Sequence, residues 1–429
     1  MIDRLIELIG EDAVSRGEFA AFHIHGRRPA AVVSPWTIEQ AAAVLRVCSE
    51  NRWIVEPAGG GTWLDWGRPP GKVDVLLSAE RLAGVTDYQP ADLTVTVAAG
   101  TPLHEIAETV SADRQTLGLD PAVRPGATIG AVISHASAGP LRLSMGTPRD
   151  QVLGVQIVTG DGRVVNLGGR VVKNVAGYDL VRLVVGSRGT LGFITRAHLR
   201  LRPEPEEGVT ALYHADSAEP LLELAAGPVT RVWPAAVELV SPATANGIGR
   251  EARWTLAVRC RGNGAFVAEA TRRLGGLLPS VNPEVLDQAE ENRFWDGLGN
   301  LEARAAVEVG FGSLPSRLGL LIRSGEERIR NGDVGEPWHM AAHVGNGILR
   351  MWLVDPISRE RTERLYGLID QARSELQADG GSVITPRIDS IPDSTFDPFG
   401  HPGPVFDLMN GIKSAFDPAG VLSPGRFTV

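Results

Sequence analysis

Residues 125–154 read PGATIGAVISHASAGPLRLSMGTPRDQVLG. Small residues and hydroxyls persist along this stretch for about a dozen positions instead of marking one turn, and such a thin-walled segment suits a large planar ligand lying along it. Upstream, Trp53 to Pro57 has the composition of a short strand and runs into Ala58, Gly59, Gly60, Gly61 and Thr62. Consecutive glycines at a strand end let backbone N–H groups converge on a phosphate, and Thr62 adds a hydroxyl donor. Taken alone, GGGT serves equally as a tight structural turn. It lacks the GxGxxG spacing of a nicotinamide-binding Rossmann loop.

Working outward, the first 205 residues alternate strands and helices. Apolar residues in MIDRLIELIGED recur at helical spacing, and its acids and missing cleavage site argue against a signal peptide. Ala30 to Pro35 reads as a strand, Thr37 caps the helix TIEQAAAVLRVCSENR, and Val73 to Leu77 and DLTVTVAAG read as further strands. Thr101 and Pro102 open the helix TPLHEIAETVSADR, and Asp161-Gly162 turns a hairpin within Gln151 to Asn166. Arg202-Pro203-Glu204-Pro205-Glu206-Glu207 reads as a linker. Beyond it, WTLAVRC, AFVAEATRRLGG and RTERLYGLIDQARSELQAD indicate a second region of mixed strands and helices. The chain ends in a helix, VFDLMNGIKSAF, and then DPAGVLSPGRF.

Composition excludes several functions. A chain of 429 residues with 43% hydrophobic residues buries more than one core, and a formal charge of −9 without a basic stripe argues against a nucleic-acid backbone as partner. Cys48 and Cys260 fit no disulfide framework or thiolate metal site, and a reducing cytoplasm is expected. No apolar run approaches the roughly 20 residues that span a bilayer, so any membrane association is expected to be peripheral, through partners at its inner face.

Residues 170–195, RVVKNVAGYDLVRLVVGSRGTLGFIT, complete an ordered series: strand, PxGGGT loop, T-I-G-A segment, R-D-x-V-L-G, D-G-R-V and G-S-x-G-T-L-G-x-I-T. The series resembles the vanillyl-alcohol oxidase and p-cresol methylhydroxylase flavoprotein family over about Ala30 to Pro203. That resemblance implies an α+β protein divided as follows: an N-terminal helical segment (1–27), a two-part FAD-binding domain (28–205), an α+β cap (206–385) and a C-terminal segment (386–429) that returns to the FAD domain. It implies that Ala58, Gly59, Gly60, Gly61 and Thr62 hold the pyrophosphate, with Pro57 and Trp63 also among the cofactor-binding residues. Thr128, Gly130, Ala131, Ser134, His135 and Gly139 would line the isoalloxazine and ribityl groups, Gly126, Ala127 and Ser137 would also bind the cofactor, and Gly189, Gly192 and Ile194 would flank the adenine side. Family members that attach FAD covalently use a histidine in the first loop or a cysteine in the second. Here the first loop is GGGTW and the second has no cysteine, so noncovalent FAD is expected. His135 remains a nucleophile to check, with a hydrogen bond inside the loop as the alternative.

The segment VKNVAGYD resembles the branch containing D-2-hydroxyacid dehydrogenases and the D and E subunits of bacterial glycolate oxidase. Catalytic members carry a metal motif resembling H-x-G-D-G-N-x-H and a later E-H-G motif. In AAHVGNGILRMW the Asp is replaced by Asn346 and the second His by Arg350, and VITPRID stands where E-H-G is expected. His343 alone does not grip a divalent ion, so no metal is assigned. These departures point to the E-type subunit, whose partners are a homologous FAD subunit and an iron-sulfur subunit, and to a small 2-hydroxy acid as the substrate of the complex. Candidates for chemistry within this chain are His343 or His339 as base, and Arg350, Arg387 or Arg426 as carboxylate binder. A structural or ion-paired role is the alternative for each. Arg426, in the C-terminal FDPAGVLSPGRF, also suits a cation that tunes the flavin.

Overall fold

In the computed structural model of the chain, residues 1–16, 22–122, 125–169, 178–277, 283–377, 380–389 and 396–427 are described. Two sheets build the first half. Ala31–Val33, Val75–Ser78 and Val55–Ala58 run parallel in that spatial order, with Val14–Arg16 antiparallel at the edge. The connection between Ala31–Val33 and Val55–Ala58 is the helix Ile38–Asn51, whose Thr37 hydroxyl accepts from the Gln40 amide, as an N-cap does. Val44, Leu45 and Cys48 on that helix bury against Leu5 and Ile9 of the N-terminal helix and against Val33, Val55 and Val75 of the sheet.

The second sheet is antiparallel throughout, in the order Val85–Gln89, Thr94–Ala98, Phe193–Arg200, Val152–Val158, Val164–Gly168. Its hairpin turns at Asp161-Gly162, where Gly162 takes φ 79°, a conformation that glycine adopts without strain. Val155, Ile157, Ala197 and Leu199 pack on the short helix Ile129–His135, which lies in the thin-walled stretch.

The expected linker is pinned at its start: Arg202–Pro203 pairs with Gln115–Thr116, and Glu207 already begins the long strand Glu207–Ala215. That strand enters an eight-stranded antiparallel sheet, ordered Glu284–Leu286, Glu207–Ala215, Trp254–Gly262, Ala236–Val240, His339–His343, Ile348–Leu353, Val307–Gly312, Ser382–Ile388. Side chains alternate across a strand, and this sheet uses the alternation sharply. Val237, Leu239, Met340, Ala342, Leu349, Met351, Val307 and Val309 bury in the core beneath helices such as Leu318–Gly332 and Arg359–Gln377. The intervening residues Glu238, His339, His343, Arg350, Trp352, Glu308 and Arg387 occupy the opposite face. After the helix Phe406–Phe416 the chain returns to the first sheet, where the Val55 amide donates to the Val421 carbonyl and Val421 and Leu422 are buried.

Candidate functional site

Two adjoining cavities lie in the first half of the chain, and the outer one also meets the polar face of the large sheet. The inner one, with an empty volume of about 600 Å³, is walled by Pro57 to Gly59 and Gly61 to Leu64, by residues between Thr128 and His135 and between Arg188 and Ile194, and by Phe427. Of the residues expected to hold the cofactor, Pro57, Ala58, Gly59, Gly61, Thr62, Trp63, Thr128, Gly130, Ala131, Ser134, His135, Gly189, Gly192 and Ile194 stand in this wall. Three segments distant in sequence therefore meet on one space.

Gly60, Gly126, Ala127 and Gly139 do not line it. A Cβ on Gly60 would lie 2.1 Å from the Gly126 carbonyl oxygen, and one on Gly139 would lie 1.8 Å from the Asp120 carbonyl oxygen. These glycines let loops touch, a requirement different from exposing phosphate donors. Ala127 is buried against Trp63.

The wall fits an FAD. The side-chain oxygens of Thr62 and Thr128 are buried without a protein partner, as donors and acceptors reserved for a ligand would be. A Cβ on Gly59 would collide with the Thr128 hydroxyl at 2.0 Å, so the two loops close on each other only because residue 59 is glycine.

His135 is held in the wall by a hydrogen bond and two aromatic neighbours. Its Nδ1 lies 3.0 Å from the Ala131 carbonyl oxygen, which only accepts, so Nδ1 carries the hydrogen and Nε2 a free lone pair. Trp63 stacks on the imidazole at 5.2 Å, and Trp66 meets it edge-on at 5.5 Å. Burial, with Arg188 nearby, pushes the imidazole down to about 3, so it is neutral throughout the physiological range.

The outer chamber has an empty volume of about 860 Å³. Thr62, Trp63, His135 and Arg188 line both spaces and so mark their junction. Ser137 also faces the chamber, while Glu302, Glu308, Arg350, Ile384 and Arg387 form its cap side. Arg350 is paired with Glu302 and lies 3.6 Å from Glu238, and Arg387 grips Asp389 at 2.6 and 3.0 Å. Burial, reinforced by the neighbouring Glu302, pushes the Glu308 carboxyl up to about 8. It is mostly protonated at neutral pH.

Other candidates stand elsewhere. His343 is buried behind the chamber wall with Nδ1 2.7 Å from the Glu238 carboxylate. His339 stacks on Trp352 at 5.6 Å. Arg426, expected as a cation for the flavin, is consumed by a structural clasp: it pairs with Glu56 and donates to the carbonyls of Leu64, Trp66 and Arg68. It is absent from the cavity wall because those carbonyls and that carboxylate take its whole donor fork. Most of VKNVAGYD, residues 170–177, lies outside the described residues.

Sequence reasoning passed over Arg188, Glu302 and Glu308. Arg188 sits inside GSRGTLG and was visible as the variable position of a glycine motif. Glu308 and Arg387 face each other only through strand register. No sequence pattern announces that pairing. Among the described residues no group of three or more His, Cys, Asp or Glu side chains is placed to hold a metal, and no helix is long and apolar enough to cross a membrane.

Comparison with known proteins agrees with this geometry. Residues 29–168 match the model of an FAD binding domain. The chain is 31% identical over 349 residues to glycolate oxidase subunit GlcE of Escherichia coli, covering 80% of this chain and 84% of that protein. It is 25% identical over 421 residues to glycolate oxidase subunit GlcD of Bacillus subtilis, covering 93% and 88% of the two chains. D-lactate dehydrogenase of Archaeoglobus fulgidus is 27% identical over 92% of this chain and 90% of its own length. Among solved structures, p-cresol methylhydroxylase superposes with a TM-score of 0.78 at 16% identity, covering all of this chain and 96% of the other.

Proposed function

The chain belongs to the vanillyl-alcohol oxidase and p-cresol methylhydroxylase family of FAD-binding oxidoreductases, and on that premise we propose that it is the FAD-binding subunit of a glycolate oxidase-like complex. In this reading it takes part in oxidising a small 2-hydroxy acid and passes electrons to a homologous flavoprotein and an iron-sulfur protein. The observation that carries it is the pair of adjoining cavities, one suited to the cofactor and one to a small polar molecule, in a chain related to both glycolate oxidase subunits.

The segments Pro57 to Gly59 and Gly61 to Trp63, with Thr128, Gly130, Ala131 and Ser134, would hold the FAD, and Gly189, Gly192 and Ile194 would close the far wall. Bound there, FAD supplies the two-electron acceptor for the oxidation. The protein's contribution is to exclude water between the cavities with Trp63 and Trp66 and to present polar groups from the cap. His343 is held by Glu238 and does not reach the chamber, which favours partner dependence over a base drawn from that motif. The chamber itself favours a second reading, a self-sufficient FAD-dependent 2-hydroxyacid dehydrogenase.

Anaerobic mixing of the purified yellow chain with glycolate and D-lactate separates the two. Bleaching that requires the partner proteins is the expected result, and rapid bleaching by the chain alone would establish the second reading. Acid precipitation should leave the flavin in the supernatant; a coloured pellet would contradict noncovalent attachment.

A further inference from the structure

Among the described residues, the cations around the two cavities have carboxylate partners with one exception. Arg350 has Glu302, Arg387 has Asp389, Arg426 has Glu56, and Lys413 at the back of the tail has Asp417. Arg188 has no carboxylate partner among the described residues. Its Nε is buried without an acceptor, and its guanidinium plane is held over the Phe399 ring at 4.1 Å and near Phe427 at 5.7 Å. Burial pushes it down to about 10, which still leaves it charged at neutral pH. A half-buried cation with a buried, unbonded Nε, aromatic faces on one side and no anion among the described residues on the other is costly unless a ligand completes it.

His135 is the neighbouring residue in the junction. The Arg188 amide donates to the carbonyl of Ser134, so the two side chains issue from backbone held together at 2.8 Å. The imidazole offers an unpartnered acceptor at Nε2, fixed in direction by the Ala131 hydrogen bond and the Trp63 stack. The junction therefore presents a cation and, beside it, a neutral acceptor.

We propose that Arg188 and His135 form the recognition site for a 2-hydroxy carboxylate, the guanidinium binding the carboxylate and His135 Nε2 accepting a hydrogen bond from the hydroxyl. The site rests on the 2-hydroxy acid reading given above and deepens it, moving recognition from the paired arginines of the cap to the flavin-domain loop. A carboxylate satisfies the guanidinium in a bidentate manner, and a hydroxyl on the adjacent carbon is a donor matched to the only kind of group the imidazole can offer there. The same arrangement selects against a simple carboxylate, which leaves Nε2 unsatisfied.

The test uses the full chain loaded with FAD, with flavin absorbance and calorimetry as readouts that need no turnover. Oxalate, which is not a 2-hydroxy acid, probes Arg188; glycolate against acetate, under anaerobic conditions, probes His135. R188M should weaken oxalate binding by about tenfold or more, and R188K should retain part of it because the charge survives without the fork. H135F should keep the ring stack and abolish the preference for glycolate over acetate. FAD content and circular dichroism are measured for every variant. If R188M and R188K both bind oxalate within about twofold of the wild type, the site assignment is overturned while the functional reading stands. If R188M loses FAD and its remaining holoprotein binds oxalate normally, the cation belongs to the cofactor and the proposal is likewise overturned. If the wild-type holoprotein binds neither glycolate nor oxalate, the 2-hydroxy acid reading itself fails.

Discussion

A methyl group at Gly60 would sit 2.1 Å from the Gly126 carbonyl oxygen, far inside contact distance, so the smallest possible side chain there drives the two FAD loops apart. Gly60→Ala is expected to cost about 1–3 kcal/mol of stability and to lower FAD affinity by at least about tenfold. Equilibrium dialysis of the folded variant checks this, and full-strength FAD binding would refute the contact's importance. Glu308 offers a second prediction at this scale. Its carboxyl is raised from 4.5 to about 8 by burial, so the folded state holds a proton that the unfolded chain releases. Stability is therefore full below about pH 4.5, declines as pH rises, and levels off above about pH 8. Glu308→Gln removes the ionisable group. The variant should gain about 1–3 kcal/mol relative to the wild type at pH 9 and almost nothing at pH 4, read from urea unfolding at both pH values.

At the level of elements, the C-terminal tail acts as a brace for the cofactor loops. Arg426 ties the tail to Glu56 in the strand Val55–Ala58 and to the backbone carbonyls that follow the glycine loop. Lys413, on the helix Phe406–Phe416, donates to the carbonyls of Thr190 and Leu422 at 2.8 Å and so ties the third cofactor segment to the same tail. Removing one partner of a buried ion pair strands the other, which costs about 3–5 kcal/mol. Arg426→Met should show that loss in denaturant unfolding, together with weaker FAD binding, because the loop from Pro57 to Trp66 loses its anchor. The double variant Glu56→Gln/Arg426→Met should recover part of the stability, since no unpaired carboxylate remains. Equal destabilisation of the single and double variants would contradict the clasp.

For the molecule as a whole, segments 57–64, 128–135 and 188–194 surround a single cavity suited to the cofactor, and Phe427 of the tail closes it. A ligand that binds only the folded arrangement stabilises it by mass action, about 2.7 kcal/mol at a hundredfold excess over its dissociation constant. Holoprotein should therefore melt several degrees above apoprotein, with the shift growing logarithmically with free FAD. A melting temperature independent of FAD would mean that the space is formed without regard to the cofactor. The large sheet contributes in a different way. Its alternation puts the apolar residues under helices and turns Glu308, Arg350 and Arg387 toward the flavin half, so the chamber exists only where the two halves meet.

The sequence by itself determined the cofactor class and pointed to the segments that wall the inner cavity. The glycine-rich turns, the small-residue run from Gly126 to Gly139 and the hairpin at Asp161-Gly162 are local patterns, written in consecutive residues whose backbone needs are met within a few positions. It also exposed the altered motif at His343, because that motif too is contiguous. Tertiary structure alone decided which charges are free. Arg426 looked available in the tail and is consumed by Glu56 and three carbonyls, while Arg188 looked like filler in a glycine motif and stands without a carboxylate among the described residues. Glu308 gained its chamber position from cross-strand register with Arg387. Pairing and burial depend on residues brought together from across the chain, and a cation's function depends on whether folding gives it an anion.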